Sequence, residues 1–219
     1  MKRSLSFILV LSVMVLVCTM AMQAQPIITN GNFGNNSVGV GGYGYPYSPD
    51  PAHSGVTAAG WTFTGTLYNG SGVQSNGSAW GFANAPNGSQ YSAFLQGTSS
   101  ISQTVAGFNP GTYYTLSFYL SARPGNSVDN VAVSLGGTPL FTSITPGPGW
   151  TLYTDTFTAT SSSELLQFSG ITPGNPPPGA VDVDAGLANV GVKVPEPAMA
   201  MLLPFGLLFV SGIRKRFLA

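Results

Sequence analysis

The chain has 219 residues, which leaves room for one domain of ordinary size once its two apolar ends are set aside. Its formal net charge of 0 hides a segregation, because five of the seven Lys and Arg lie in the two ends, whereas six of the seven Asp and Glu lie between Gln25 and Lys193. A central region so poor in basic residues offers no electrostatic surface to nucleic acid, which excludes that class of partner.

Residues 1–24 have the layout of a secretory signal peptide. Two basic residues precede an apolar run from Leu5 to about Cys18, and the small residues Ala21 and Ala24 offer cleavage points. This pattern predicts a signal-peptide helix and export through the Sec translocon. An uncleaved anchor is the alternative, although the run is shorter than the roughly 20 residues that a span prefers. Because the only cysteine lies in this leader, we expect no disulfide in the exported protein.

Between residues 25 and 193 the composition favours short β-strands. Gly, Ser, Thr, Asn and Pro alternate with aromatic and β-branched residues, and no stretch has a helical apolar period. The clearest strand runs from Tyr113 to Ala122, where every second residue is large and apolar, namely Tyr114, Leu116, Phe118 and Leu120. Disorder is the alternative, but such strict alternation argues against it. We therefore predict an all-β domain, a two-sheet jelly-roll sandwich of roughly eight to ten strands.

Further strands are predicted on the same grounds. They occupy residues 90–96, 100–105, 128–135, 140–144, 150–158, 164–169 and 188–192. We expect the first two to be neighbours joined by Gly97-Thr98-Ser99, and the next two to form a hairpin turned by Gly136-Gly137. The Asn-Gly-Ser triplets that begin at Asn69, Asn76 and Asn87 are predicted to be turns, since Gly tolerates positive φ.

Six segments with strand or turn composition follow one another between Ile28 and Val192. They are Asn30-Gly31-Asn32-Phe33, Gly60-Trp61, QYSAFLQG, ISQTV, GTYYTLSFYLSARPG and WTLYTDTFTAT. In this order they resemble the galactose-binding-like jelly-roll domains of secreted bacterial and plant cell-wall proteins. The shared motifs are core strands, so the resemblance implies the fold more than a function.

The segment from Asn35 to His53 reads as a lengthened loop rich in Gly and Tyr. Its tyrosines recur every second residue, at Tyr43, Tyr45 and Tyr47. We expect a flexible loop with adhesive tyrosines, and a sugar-stacking platform that includes Tyr45 is the alternative.

Trp80 and Arg123 are further candidates for ligand binding. Arg123 follows the clearest strand just before Pro124-Gly125, where jelly rolls display ligand-contacting loops. Its guanidinium suits bidentate bonding to a ligand, or pairing with Asp129 or another acid. Trp80 lies in a polar stretch and is the tryptophan least clearly placed in a strand. It is therefore a candidate for stacking on a sugar ring, with core packing as the alternative.

Catalytic chemistry is hard to assemble from this sequence. His53 is the only histidine and lies in a loop rich in Pro and Gly, and the chain has no serine-nucleophile elbow. Glycoside hydrolysis needs two carboxylates on separate elements, which this chain scarcely supplies. We therefore predict that the protein is not an enzyme.

Asp182 and Asp184 form the most suggestive acidic pair. They alternate with valines, so on a strand they would share a face about 7 Å apart. The pair could act as catalytic acids, bind Ca²⁺ or be solvated. Calcium prefers carboxylate and carbonyl oxygens, and the resembling jelly rolls often hold a structural Ca²⁺. A calcium ion at these two residues is the only cofactor the sequence suggests.

The last segment, residues 194–219, has three parts in a fixed order. These are a motif of Pro195, Glu196 and Pro197, an apolar run over 198–213, and a basic cluster of Arg214, Lys215 and Arg216. The run would give about 24 Å of transmembrane helix against a hydrocarbon core near 30 Å, which suits a temporary anchor. The three parts resemble the PEP-CTERM sorting signal of Gram-negative bacteria, which implies processing by an exosortase. A plain, permanent tail anchor is the alternative.

The sequence thus predicts an exported protein with a transient inner-membrane anchor. Its expected destination is the cell envelope or the extracellular matrix of a Gram-negative bacterium. The non-catalytic β-sandwich is expected to have a structural role or to bind extracellular polysaccharide. A carbohydrate-active enzyme and a purely adhesive matrix protein are the alternatives.

Overall fold

The computed structural model describes residues 25–46, 51–66, 69–173 and 182–194. Within these ranges the chain forms twelve strands and two single-turn 3-10 helices, at Pro51–His53 and Pro86–Gly88. The strands are β1 (Tyr43–Gly44), β2 (Thr62–Thr66), β3 (Asn69–Ser75), β4 (Tyr91–Gln96), β5 (Ser100–Ala106), β6 (Tyr113–Ala122), β7 (Ser127–Val128), β8 (Val131–Leu135), β9 (Thr138–Ile144), β10 (Thr151–Thr158), β11 (Ser163–Gly170) and β12 (Val183–Lys193).

The strands form two sheets, which confirms the predicted all-β sandwich. The first sheet has the order β10-β6-β12-β4-β3, with β1 added beside β3, and the second has the order β9-β8-β11-β5-β2. The end of β2 also pairs with the start of β3, which joins the two sheets at one edge. All neighbours are antiparallel except β7, which runs parallel to the start of β12. No helix of the described residues has the length and apolar character to cross a membrane. The two predicted terminal helices, in residues 1–24 and 198–213, lie outside the described residues.

Strand β6 is central to the first sheet and matches its predicted bounds. It pairs with β10 on one side and β12 on the other. The predicted inner residues Tyr114, Leu116, Phe118 and Leu120 are at most 1% exposed. Phe118 meets Phe168 of the second sheet at 5.1 Å between ring centroids, so the main core lies between the sheets. Burial of four such side chains stabilises the fold by about 6–12 kcal/mol before entropy is subtracted.

The strands predicted at 90–96 and 100–105 exist as β4 and β5, but they are not neighbours. β4 pairs with β3 and β12, whereas β5 pairs with β2 and β11 of the other sheet. The turn between them crosses from sheet to sheet. Gly97 N donates to Val183 O in the first sheet, and Ser99 O accepts from Gly170 N in the second. The predicted hairpin of β8 and β9 is confirmed, with positive φ at Gly136 and Gly137.

Two of the three predicted Asn-Gly-Ser turns are confirmed. Gly77 and Asn87 adopt positive φ of 73° and 57°. The third prediction is wrong, because Asn69 begins β3. A Cβ on Gly65 of β2 would lie 2.6 Å from the Cα of Gly70, so the glycines here allow two backbones to approach closely.

The last strand is longer than the sequence predicted and lies inside the sheet. The prediction covered only 188–192, whereas β12 begins at Val183 and lies between β6 and β4. A bulge interrupts its pairing with β6 between Ala188 and Gly191, where Asn189 has a φ of 47°.

Candidate functional site

A second group of aromatic side chains lies on the outer face of the first sheet. Phe94 in β4 points away from the main core, which its neighbours Ala93 and Leu95 join. We call this group the aromatic cluster. Its members are the buried residues Trp80, Phe82 and Phe94 and the partly buried residues Tyr43, Tyr45 and Trp150.

The aromatic cluster packs directly against the sheet because glycines flank Phe94. Gly72 of β3 and Gly186 of β12 are the cross-strand partners of Phe94 on its two sides. A Cβ on Gly186 would lie 2.8 Å from the Trp150 ring and 2.9 Å from the Phe82 ring. A Cβ on Gly72 would lie 2.1 Å from the carbonyl oxygen of Gly44 in β1 and 2.7 Å from the Phe94 ring, so Gly72 leaves space for β1 as well as for the ring. The row of Gly72, Phe94 and Gly186 across three strands therefore leaves the space that the rings occupy.

Trp80 lies at the centre of the aromatic cluster and not on the surface. Phe94 stacks on one face of the indole at 3.7 Å between centroids, and Arg123 Cζ lies 4.2 Å above the other face. The side chain is only 4% exposed. The geometry corrects the expectation of sugar stacking on this ring, because neither face is open to a ligand. The alternative of packing is the one observed.

Arg123 joins Trp80 to two carboxylates. Its Nε donates to the Trp80 carbonyl oxygen at 2.8 Å, and its Nη1 donates to Asp184 Oδ2 at 2.9 Å and Asp182 Oδ2 at 3.2 Å. We call Arg123, Asp182 and Asp184 the Arg–Asp triad. The partner of Arg123 is thus an acid other than Asp129. The side chain of Asp184 is 0% exposed, that of Arg123 16% and that of Asp182 49%.

Burial dominates the electrostatics of the Arg–Asp triad. Desolvation raises the pKa of Asp184 to about 7, against the lowering effect of Arg123, and the charge of Asp182 raises it further. Asp184 Oδ1 is buried and has no hydrogen-bond partner. Burial also raises the pKa of Tyr45, which the Tyr43, Asp182 and Asp184 charges reinforce and Arg123 opposes.

Tyr45 also belongs to this site, because the supposed loop is packed against the sheet. β1 pairs with β3, and the Tyr43 ring stacks on His53 at 4.2 Å. The Tyr45 ring lies edge-on to Trp80 at 6.2 Å and to Phe94 at 5.6 Å. The expectation of a flexible loop is therefore wrong for residues 43–45, whereas Tyr47 lies outside the described residues. The five residues predicted to bind a ligand or calcium meet in one place: Tyr45, Trp80, Arg123, Asp182 and Asp184.

Asp129 is a second buried acid. The sequence did not reveal that one of its carboxylate oxygens would be buried without a partner. Its Oδ1 accepts from Thr172 N at 3.0 Å, whereas its Oδ2 is buried without a partner. Burial raises the pKa of Asp129 to about 7, the bonds from Thr172 lower it, and the charge of Asp184 adds to the rise. Asp129 N donates to Asp184 O at 3.1 Å, which connects it to the Arg–Asp triad through the backbone.

The acidic pair was also the predicted calcium site. Asp182 and Asp184 both bind Arg123, which supplies a positive charge where a cation would be needed. Across the described ranges no group of three or more His, Cys, Asp or Glu is arranged to hold a metal. Calcium at this pair stays a prediction. The sorting motif Pro195, Glu196 and Pro197 and the basic cluster of Arg214, Lys215 and Arg216 lie outside the described residues.

The two sheets and their connections are those of a jelly-roll β-sandwich. The family described as "Protein of unknown function (DUF642)" matches residues 27–177, and the chain belongs to this family. The chain is also 30% identical over 172 residues to halomucin of Haloquadratum walsbyi. The match covers 77% of this chain and only 2% of halomucin.

Solved structures of similar fold include two from Xyn10C of Paenibacillus barcinonensis. Its CBM22-1-CBM22-2 tandem domain is similar with a TM-score of 0.50 at 14% identity, over 81% of this chain and 48% of that one. Its CBM22-1 xylan-binding domain is similar with a TM-score of 0.45 at 14% identity, over 80% of this chain and 97% of that one. At such identity the likeness concerns the fold alone.

Proposed function

We propose that the β-sandwich is a non-catalytic domain that binds polysaccharide at the aromatic cluster and the Arg–Asp triad. The observation that carries the proposal is the convergence of Tyr45, Arg123 and Asp182 from three distant segments beside partly exposed rings. Binding sites for small polar ligands combine apolar and aromatic walls with a few directed polar groups. Tyrosine and tryptophan are well suited to such a surface, because one end is apolar and the other polar.

The polar groups of this site are held in place before any ligand arrives. Three hydrogen bonds and the Trp80 face fix the guanidinium of Arg123. Asp182 is fixed in turn by Arg123 while half of its side chain faces solvent. A preorganised site loses little side-chain entropy on binding, which favours even a modest contact area.

A catalytic role for the acidic pair has less support. Both carboxylates accept from the same guanidinium nitrogen, and Asp184 is fully buried. A general acid–base pair must reach the atoms between which it moves protons. The likeness to the CBM22 tandem of Xyn10C is compatible with a binding domain, but the proposal depends on the site and not on that likeness.

Polysaccharide binding predicts a loss of affinity when the Tyr45 ring is removed. We expect the full chain, purified in detergent, to be retarded in gels that contain soluble xylan, β-1,4-galactan or dextran. Tyr45→Ala should weaken this binding at least about tenfold, because aromatic anchors dominate such sites. Tyr113→Ala is the matched control, since Tyr113 is 64% exposed on β6 and outside the aromatic cluster.

Two outcomes would contradict this proposal. Absence of retardation in all three polymers would argue against polysaccharide binding. Loss of binding in Tyr113→Ala with full binding in Tyr45→Ala would move the site to the first residues of β6. The thermal midpoint of each variant must be measured beside the affinity, so that a folding defect is not taken for lost contact.

We further propose that the chain is exported and then sorted through its last segment. The support is the order of motif, short apolar run and basic cluster in residues 194–219, beside the signal-peptide pattern in 1–24. The Sec translocon would deliver the domain, and an exosortase would process the tail. The protein would then lie in the envelope or the extracellular matrix of a Gram-negative bacterium.

Processing at both ends predicts a defined mature mass. Mass spectrometry of the protein from its host should find a form that lacks Met1 to about Ala24 and the residues after Pro197. Glu196→Ala should leave the apolar run attached and keep the protein in the inner-membrane fraction. A mature protein that still ends at Ala219 would contradict the sorting proposal and favour the plain tail anchor.

A further inference from the structure

The charges around the proposed binding site differ in how far they face solvent. Asp182 is the most exposed member of the Arg–Asp triad at 49%, whereas Arg123 is 16% exposed and Asp184 is fully buried. A ligand that approaches this site therefore meets a carboxylate before it meets the guanidinium. The triad contains two acidic groups for one basic group, so its positive charge is already opposed.

Arg123 has no free pair of neighbouring donors for a bidentate anionic ligand, because only its Nη2 has no hydrogen bond to the described part of the protein. Its Nε is bonded to the Trp80 carbonyl, its Nη1 is bonded to both aspartates, and one face of the guanidinium lies on the Trp80 ring. A bidentate pair with a ligand carboxylate needs two parallel N–H donors on one open edge. A uronate would have to displace Asp182 to obtain them.

The net negative charge of the whole domain also repels anions. Between Gln25 and Lys193 the sequence has six acids and two bases, Arg123 and Lys193. A field of one sign reduces the local concentration of ligands that carry the same sign. Lys193 is exposed at the far end of β12, nine residues from Asp184, so it does not offset the acids at the site.

Uncharged sugars suit these groups better. An ionised carboxylate only accepts hydrogen bonds, and sugar hydroxyls are donors. Hydrogen bonds to a charged group are stronger than those between neutral groups. Asp184 would act here as a positioning residue, since its buried carboxylate holds Arg123, which in turn orients Asp182.

We propose that this site selects uncharged polysaccharides and rejects polymers that carry carboxylates, an inference that rests on the proposed polysaccharide binding. The discriminating group is Asp182, and its neutral analogue should weaken the discrimination without loss of the fold.

The test compares each neutral polymer with its carboxymethylated form. Affinity electrophoresis of the full chain uses xylan, β-1,4-galactan and dextran, each beside the carboxymethyl derivative of equal chain length. We expect the wild-type protein to bind at least one neutral polymer about tenfold more tightly than its derivative in low salt. Added salt should reduce this ratio, because it screens the repulsion between the exposed Asp182 carboxylate and the carboxylates of the polymer.

Substitution of Asp182 separates this inference from a general effect of charge. Asp182→Asn should reduce the ratio several-fold, and Asp182→Lys should reverse it. Asp155→Asn is the matched control. Asp155 pairs with Leu116 on β6, about 20 Å along that strand from Ala122, which is beside the site. Asp155→Asn removes the same net charge, so it should leave most of the ratio intact.

Each result decides a different point. Failure of the wild-type protein to bind any polymer of either kind would overturn the proposed function and this inference with it. Equal or tighter binding of the carboxymethylated polymers would overturn the selectivity alone. An equal loss of discrimination in Asp155→Asn and Asp182→Asn would assign it to the net charge of the domain, and not to the Arg–Asp triad.

Discussion

Replacement of Asp129 by asparagine is expected to stabilise the fold at pH 8 and to stabilise it less at pH 5. The side chain is fully buried, and its Oδ2 has no hydrogen-bond partner. A Cβ on Gly170 would lie 2.2 Å from Asp129 Oδ2 and 2.1 Å from the carbonyl oxygen of Gly97. These two oxygens therefore face the same small space beside Gly170. An asparagine amide could place a donor there and keep the bond from Thr172 N.

The dependence on pH follows from the raised pKa of Asp129. Its pKa is about 7 in the folded protein against an ordinary value of 3.8, because burial disfavours the charged form. Between these values the folded protein binds more protons than the unfolded chain, so stability falls as pH rises from about 4 to about 7. A tenfold change in a proton-binding constant corresponds to about 1.4 kcal/mol, so we expect Asp129→Asn to gain about 2–4 kcal/mol at pH 8.

Urea unfolding of the wild-type protein and the variant at pH 5 and pH 8 measures this gain. Asp155→Asn is the matched control, because Asp155 lies on the edge strand β10 and is not among the buried residues. Loss of stability at pH 8 in Asp129→Asn would show that the carboxylate has a favourable partner in the folded protein. Some pH dependence should remain in the variant, because the pKa of Asp184 is also raised to about 7.

Replacement of Arg123 by methionine is expected to destabilise the fold by about 3–5 kcal/mol at pH 8, since removal of one partner leaves a buried charge unpaired. Asp184 would lose its only hydrogen-bond donor in the Arg–Asp triad, and Trp80 would lose the cation above its ring. The effect should be smaller at pH 5, because Asp184 can then hold a proton and avoid the cost of an isolated charge.

The double variant Arg123→Met with Asp184→Asn provides the control for this prediction. It removes both charges of the buried pair, so it should recover most of the stability lost at pH 8. Unfolding by urea at both pH values compares the single and double variants with the wild-type protein. A loss in Arg123→Met that is equal at pH 5 and pH 8, with no recovery in the double variant, would assign the effect to packing on Trp80 alone.

Local patterns in the sequence were sufficient for most of the strands and for part of the site, but β1, β2 and β3 were not predicted. The alternation in 113–122 predicted β6 and its buried face, and the pair Gly136-Gly137 predicted the hairpin of β8 and β9. The place of Arg123 after β6 indicated a polar site at that end, where the Arg–Asp triad is found. Period and turn chemistry act over a few residues, so these features can be deduced from the chain alone.

Features that depend on pairing between distant strands were not predictable in this way. β4 and β5 are adjacent in sequence and lie in different sheets, because the turn between them bonds to both. The row of Gly72, Phe94 and Gly186 exists only through the register of three strands. The same holds for Trp80, whose burial comes from Phe94 and Arg123. The order of apolar residues does not specify these partners.

The inner position of β12 has a consequence for the order of folding. Strands β4 and β6 are made early, but the strand that lies between them spans residues 183–193. During synthesis from the N-terminus, the first sheet must therefore stay open until almost the whole domain has been made. Contacts of such long sequence separation form slowly. In the export that we propose, this delay would keep the chain unfolded enough to be threaded, and the domain would close only after its last strand had passed.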